Sequence, residues 1–158
     1  MNYSFIKQIN ASNQKEAVKL CQKYEAQNGI GLIDVSENPK WFEAGADLIE
    51  ETPNELILID VKCDERMGET GNVAVELIEI SSLNGFIKKG WAYKNLHYIY
   101  YVDWKNKINY KLKLGQLLQE TFAKSRYGFS AYHPQEKYFT LGVLVPVKEL
   151  TSERAQLT

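Results

Sequence analysis

The sequence predicts a mixed α/β domain, and three observations carry that prediction. One early segment repeats its apolar residues with helical period, several later segments alternate or run apolar as strands do, and a second helical segment interrupts those strands before the chain ends.

The helical segment runs from Asn13 to Gln27, where Ala17, Val18, Leu20, Cys21 and Tyr24 share one face, and Asn28-Gly29 is its natural stop. From Ile30 to Ala46 the pattern is poor. Asn38-Pro39 marks a turn there, and Trp41-Phe42 is a candidate core or interface anchor. The period then becomes two. Asp47–Glu51 and Leu56–Lys62 read as the arms of a hairpin, with Pro53 placed to begin a type I turn. A third apolar run, Val73 to Ile80, follows a glycine-bearing loop, and a fourth, His97 to Val102, follows Gly90-Trp91. Ile108 to Leu114 alternates as a half-buried strand, Gly115 to Lys124 supplies Leu117, Leu118 and Phe122 for a short helix, and Tyr138 to Val145 is a final strand ended by Pro146. The polar residues from Thr151 onward are expected to fray.

With 158 residues the chain is read as one domain, residues 1–158, large enough to bury a core without disulfides. Cys21 and Cys63 have no metal-ligand spacing and are expected to be free thiols. No apolar run is long enough to span a bilayer and the N-terminal stretch lacks a secretory h-region, so a cytoplasmic protein is expected. The net charge of −1 conceals an imbalance: residues 1–80 carry 7 Lys+Arg against 15 Asp+Glu, and residues 81–158 carry 12 against 5. Such asymmetry suits an enzyme that gathers carboxylates around a cation and offers basic surface to phosphates, and it equally suits a chain that folds back and mixes its halves.

The chemistry concentrates on the second arm of the hairpin. Alternation puts Leu56, Leu58, Asp60 and Lys62 on one face of that arm, and a strand apolar at its start does not end in an acid and an ammonium unless that end opens into a cleft. A hairpin closed around Pro53-Asn54 pairs residues whose numbers sum to 107, which sets Asp47 opposite Asp60. Like charges so placed repel unless something neutralises them, and a divalent cation, with its preference for hard oxygen ligands, is suited to do so. Glu76 lies inside the third apolar run, expected beside the central strand, and wants a partner there: the same metal or a lysine such as Lys62.

Asp47, followed across a hairpin by Asp60-Val61-Lys62 and preceded by a helix containing an acid, resembles the signature of the PD-(D/E)XK nucleases. The stretch from Gly45-Ala46-Asp47 through Gly71-Asn72 to Gly90-Trp91 is similar to small phage and prokaryotic members of that superfamily. Ala46 stands where the name-giving proline would be, a departure that many members share. The resemblance implies a restriction-endonuclease-like fold, a central mixed β-sheet flanked by helices. It also implies Mg²⁺, or Mn²⁺ as a substitute, held by Asp47, Asp60 and the Val61 carbonyl, with Lys62 assisting a metal-activated water that attacks a DNA phosphodiester. Related enzymes add an acid from the first helix, for which Glu16 is the candidate, although Asn13-x-x-Glu16 also reads as a capping box.

Lys88, Lys89 and Lys94 around Trp91, with Lys105, Lys107, Lys111 and Lys113, are candidates for phosphate contacts, and Trp91 for stacking on a base or for the core. His97 and His133 have no catalytic spacing, and no phosphate-binding glycine loop is present. The leading expectation is a Mg²⁺-dependent endonuclease, acting as a homodimer so that two single-site subunits cut two strands. The alternatives are a nuclease-fold module that binds nucleic acid or protein without cleaving, and a small interaction protein with aromatic interfaces.

Overall fold

The computed structural model describes residues 3–124 and 127–158, with side chains from Ala11 onward. Its elements run α1 (Tyr3–Gln27), β1 (Ile33–Asp34), β2 (Leu48–Glu51), β3 (Leu56–Asp64), α2 (Met67–Thr70), β4 (Asn72–Ser81), β5 (Ile87–Lys89), β6 (Tyr98–Asp103), β7 (Ile108–Lys113), α3 (Leu114–Lys124), β8 (Tyr127–His133), β9 (Tyr138–Pro146) and β10 (Glu153–Gln156). They divide into two compact units, one of Met1–Thr70, Leu96–Lys113 and Ser152–Thr158, the other of Gly71–Asn95 and Leu114–Thr151. That division dissolves most of the charge asymmetry read along the chain. The first unit carries 12 Lys+Arg against 15 Asp+Glu, and the second 7 against 5.

The first unit is a six-stranded mixed sheet, ordered β1-β2-β3-β6-β7-β10, in which β3 and β6 are parallel and every other pair is antiparallel. Ala17, Val18 and Cys21 of α1 pack on one face of it, against Leu48, Ile59, Val61, Tyr100, Val102 and Leu157. Burying such side chains stabilises by roughly 1.5–3 kcal/mol each for the larger ones, so this layer fixes the height of α1 over β3. The helix stops as expected: Ile30 N donates to Glu25 O at 2.9 Å and Gly29 takes φ +83°, a conformation that favours glycine. Its start is ten residues earlier than the sequence suggests. Asn13 resembles a cap, but it lies inside the helix and its amide donates to Glu65 Oε1 at 2.6 Å, so there is no capping box with Glu16.

The hairpin forms in the expected register, Leu48 opposite Ile59 and Glu51 opposite Leu56, closed by Thr52 N donating to Glu55 O at 3.0 Å. The C-terminal residues do not fray. Glu153–Gln156 pairs with β7, and Ala155 and Leu157 are buried.

The second unit holds a four-stranded antiparallel sheet, β5-β4-β9-β8. The run Val73–Ile80 is therefore a strand, as its pattern predicts, but it is not a neighbour of β3, both of whose edges are taken by β2 and β6. The mixed α/β class stands, with two sheets in place of one central sheet. Among the described residues no helix is long and apolar enough to cross a membrane.

Candidate functional site

Strand β3 continues past its antiparallel neighbour. β2 begins at Leu48, so among the described residues β3 from Asp60 onward has no strand on that edge, and its backbone groups need other partners. Side chains supply them. Asp47 N donates to Ile59 O at 2.9 Å, the Asp47 carboxylate accepts from Val61 N at 2.9 Å, and Gln14 of α1 then closes the edge: its Nε2 donates to Val61 O at 2.6 Å and its Oε1 accepts from Cys63 N at 3.0 Å. A carboxylate and an amide thus do the work of the missing strand, and they pin the backbone on both sides of Lys62. On the opposite edge the His97 ring plays the same part, its Nδ1 accepting from Leu58 N at 2.9 Å just before β6 begins.

Asp60 is 4% exposed and shares its face of the sheet with Lys62, whose Nζ lies 3.0 Å from Asp60 Oδ2. That oxygen is buried without an aligned hydrogen-bond donor, so the ammonium serves it by charge alone. Asp47 is half-buried beside it. Burial first, and then the Asp60 charge, push the Asp47 carboxyl up from 3.8 to about 7, against the opposing pull of the Val61 amide and the Lys62 ammonium. Two carboxylates crowded in this way hold either a shared proton or a cation.

The same face continues along the strand ends. Lys62 stands beside Tyr101 and Asp64 beside Asp103 in the parallel register. The Tyr101 hydroxyl donates to Asp64 Oδ2 at 2.6 Å, while Asp64 Oδ1 accepts from Arg66 N and Met67 N and so caps α2. Asp103 is buried and accepts from the backbone and amide of Asn106. These two acids are committed to turns.

Asp47, Asp60 and Lys62 are thus together, with the Val61 backbone between the two acids, its carbonyl already accepting from Gln14. Glu16 is not part of this group. It lies two residues beyond Gln14, roughly 200° around the helix, and is solvent-exposed, its charge felt by Lys107. Glu76 sits on β4 at a register shift, in the other sheet from β3. Among the described residues no group of three or more His, Cys, Asp or Glu side chains is arranged to hold a metal, so protein ligation would rest on the aspartate pair and main-chain oxygen.

Of the candidate nucleic-acid contacts, Lys88, Lys89 and Lys113 are exposed and Lys94 is half-buried. Trp91 is only 2% exposed, a core residue with no face to offer a base. Lys111 is also withdrawn: its ammonium pairs with Glu25, a carboxylate 1% exposed that also accepts from the Tyr100 hydroxyl at 3.2 Å.

Gln14 is the member of the site that sequence reasoning passed over. Its one signal is helical spacing, since it precedes the buried Ala17 and Val18 by three and four residues and so lies on the face that meets the sheet. No family model matches the chain, and no curated protein or solved structure matches it significantly.

Proposed function

We propose that the chain is a divalent-metal-dependent phosphodiesterase acting on DNA, a nuclease of the restriction-endonuclease-like type. The observation that carries the reading is the neighbouring carboxylates of Asp47 and Asp60, one pushed up to about 7 and the other with a buried oxygen lacking a hydrogen-bond donor, beside the Lys62 ammonium at 3.0 Å. Such a pair suits a small hard cation, and Mg²⁺ or Mn²⁺ would be held by the two carboxylates, with water and substrate phosphate completing the shell. When bound, the ion supplies Lewis-acid polarisation of the phosphate and a more acidic attacking water.

The chain's own groups do the rest. Lys62 projects from the same face as Asp60 and offers its ammonium protons to a phosphate oxygen, offsetting the charge that develops during attack. Asp47 keeps its Oδ2 on the Val61 amide, which fixes the carboxylate's direction. Gln14 holds Val61 and Cys63, the residues on either side of Lys62. A reading as a binding module without catalysis draws on one observation, that the Val61 carbonyl is already engaged by Gln14 at 2.6 Å.

The two readings part in a cleavage panel of duplex, single-stranded and branched DNA and of RNA, with Mg²⁺ or Mn²⁺. Cleavage that falls roughly 100-fold or more in Asp60→Asn and in Lys62→Ala is expected. Undiminished cleavage by Asp60→Asn would falsify the assignment, and metal-independent, salt-sensitive binding without cleavage would favour the module.

A further inference from the structure

The two edges of the four-stranded sheet are built differently. At one, β5 is three residues long and carries Lys88 and Lys89, a short, charged strand of the kind that discourages pairing with another chain. At the other, β8 is Tyr127-Gly128-Phe129-Ser130-Ala131-Tyr132-His133, seven residues with no lysine, arginine, acid or proline. It pairs with β9 without a register shift, from Tyr127 opposite Leu144 to His133 opposite Tyr138. Among the described residues no strand covers its outer edge, and five of its seven residues are exposed, Tyr127 by 70% and Tyr132 by 49%. This leaves about 23 Å of straight, uncharged strand with unpaired amides and carbonyls.

An apolar row leads to that edge. Ile87, Ile80, Phe139 and Tyr132 are successive cross-strand partners on one face of the sheet, with the Tyr132 and Phe139 rings 4.6 Å apart. Ile87 is 66% exposed and Phe139 40%.

We propose that β8 is a homodimer interface, two copies joining edge to edge about a two-fold axis at Ser130 to make one continuous eight-stranded antiparallel sheet. The occupant must be an extended strand, because what the edge presents is a ladder of backbone donors and acceptors. Charge selects an uncharged one, and the strand's own sequence is complementary to itself. Antiparallel pairing centred on Ser130 sets Tyr132 opposite Gly128 and Phe129 opposite Ala131, so each of these aromatic rings meets a small residue. Tyr127 then meets His133. Such self-complementarity is what a two-fold interface requires, and the apolar row continues across the axis onto Gly128 of the second copy. The inference does not depend on the nuclease reading.

Sedimentation equilibrium and light scattering of the full chain over a range of concentrations test it. A reversible dimer is expected. Ser130→Lys, an exposed position whose substitution places two ammonium groups face to face on the axis, should raise the dissociation constant roughly tenfold or more, with circular dichroism unchanged. Ser130→Cys treated with diamide should give a disulfide-linked dimer on non-reducing gels, while Lys89→Cys on the opposite edge, on the background of the native Cys21 and Cys63, should not. A monomer at every concentration overturns the proposal. So does a dimer that survives Ser130→Lys, or one that Ser130→Cys fails to cross-link.

Discussion

Replacing Asp47 by asparagine tests the electrostatics of the site without requiring any activity. The substitution keeps the shape and an oxygen for the Val61 amide, at 2.9 Å in the native chain, while it removes the charge and puts an NH2 donor in place of the second oxygen. In metal-free protein the Asp47 carboxyl is pushed up from 3.8 to about 7, by burial and by Asp60. Because the folded value is the higher one, the native protein binds the extra proton between these limits. The stability associated with it is complete below pH 3.8 and is lost as pH rises to about 7. At 1.36 kcal/mol per pH unit, the full loss is about 4 kcal/mol, and less than half of it has occurred by pH 5. A neutral side chain escapes that loss. Asp47→Asn should therefore exceed wild type in stability by up to about 4 kcal/mol at pH 8 and by less than half of that at pH 5. Urea denaturation in the presence of EDTA, followed by tryptophan fluorescence, measures both differences, since slopes of about 1–3 kcal/mol/M turn them into readable midpoint shifts. Saturating Mg²⁺ should narrow the gap by stabilising wild type selectively, by about 2.7 kcal/mol at a hundredfold excess over the dissociation constant. A variant less stable than wild type at pH 8, or a difference independent of pH, would refute the crowding of the two carboxylates.

Two further substitutions probe the supports of this sheet. Gln14→Ala strips the partner from Val61 O and Cys63 N, both partly buried, and is expected to cost about 2–4 kcal/mol in denaturant unfolding, well beyond what an amide on the helix surface would contribute. Lys111→Met leaves Glu25, at 1% exposure, as an uncompensated buried charge and should cost about 3–5 kcal/mol; the double variant with Glu25→Gln should regain most of that, and failure to regain it would place the cost in packing instead of charge.

What the sequence reveals of this fold follows how local each feature is. The hairpin of β2 and β3 is legible to the residue, because Pro53 sets the turn and a turn of known length sets the register of everything it joins. The choice of sheet for Val73–Ile80 is not legible. Its apolar alternation says strand, but whether it lies beside β3 or beside β9 depends on β6 having taken the free edge of β3, a pairing between residues far apart in sequence. Edge strands hide for a related reason: β8 is exposed on both faces and β10 buries only Ala155, so neither has the one-sided apolar pattern that announces a strand. The Thr151–Thr158 segment looks like a tail because two buried residues, Ala155 and Leu157, are too few to make a period.

The site divides along the same line. Asp47, Asp60 and Lys62 meet because one hairpin and one strand period bring them together, and both can be read from a stretch of sixteen residues. The contribution of α1 cannot, since it depends on where β2 starts. β2 begins only at Leu48, one residue pair short of Asp60, and that shortfall creates the demand for a donor and an acceptor that only a side-chain amide can meet in one group. A search for catalytic acids looks past a glutamine and selects Glu16, which the helix turns toward solvent. In a strand that outlasts its neighbour, the residues that shape the site are those that complete its hydrogen bonding, and they are recognisable only once the neighbour's end is known.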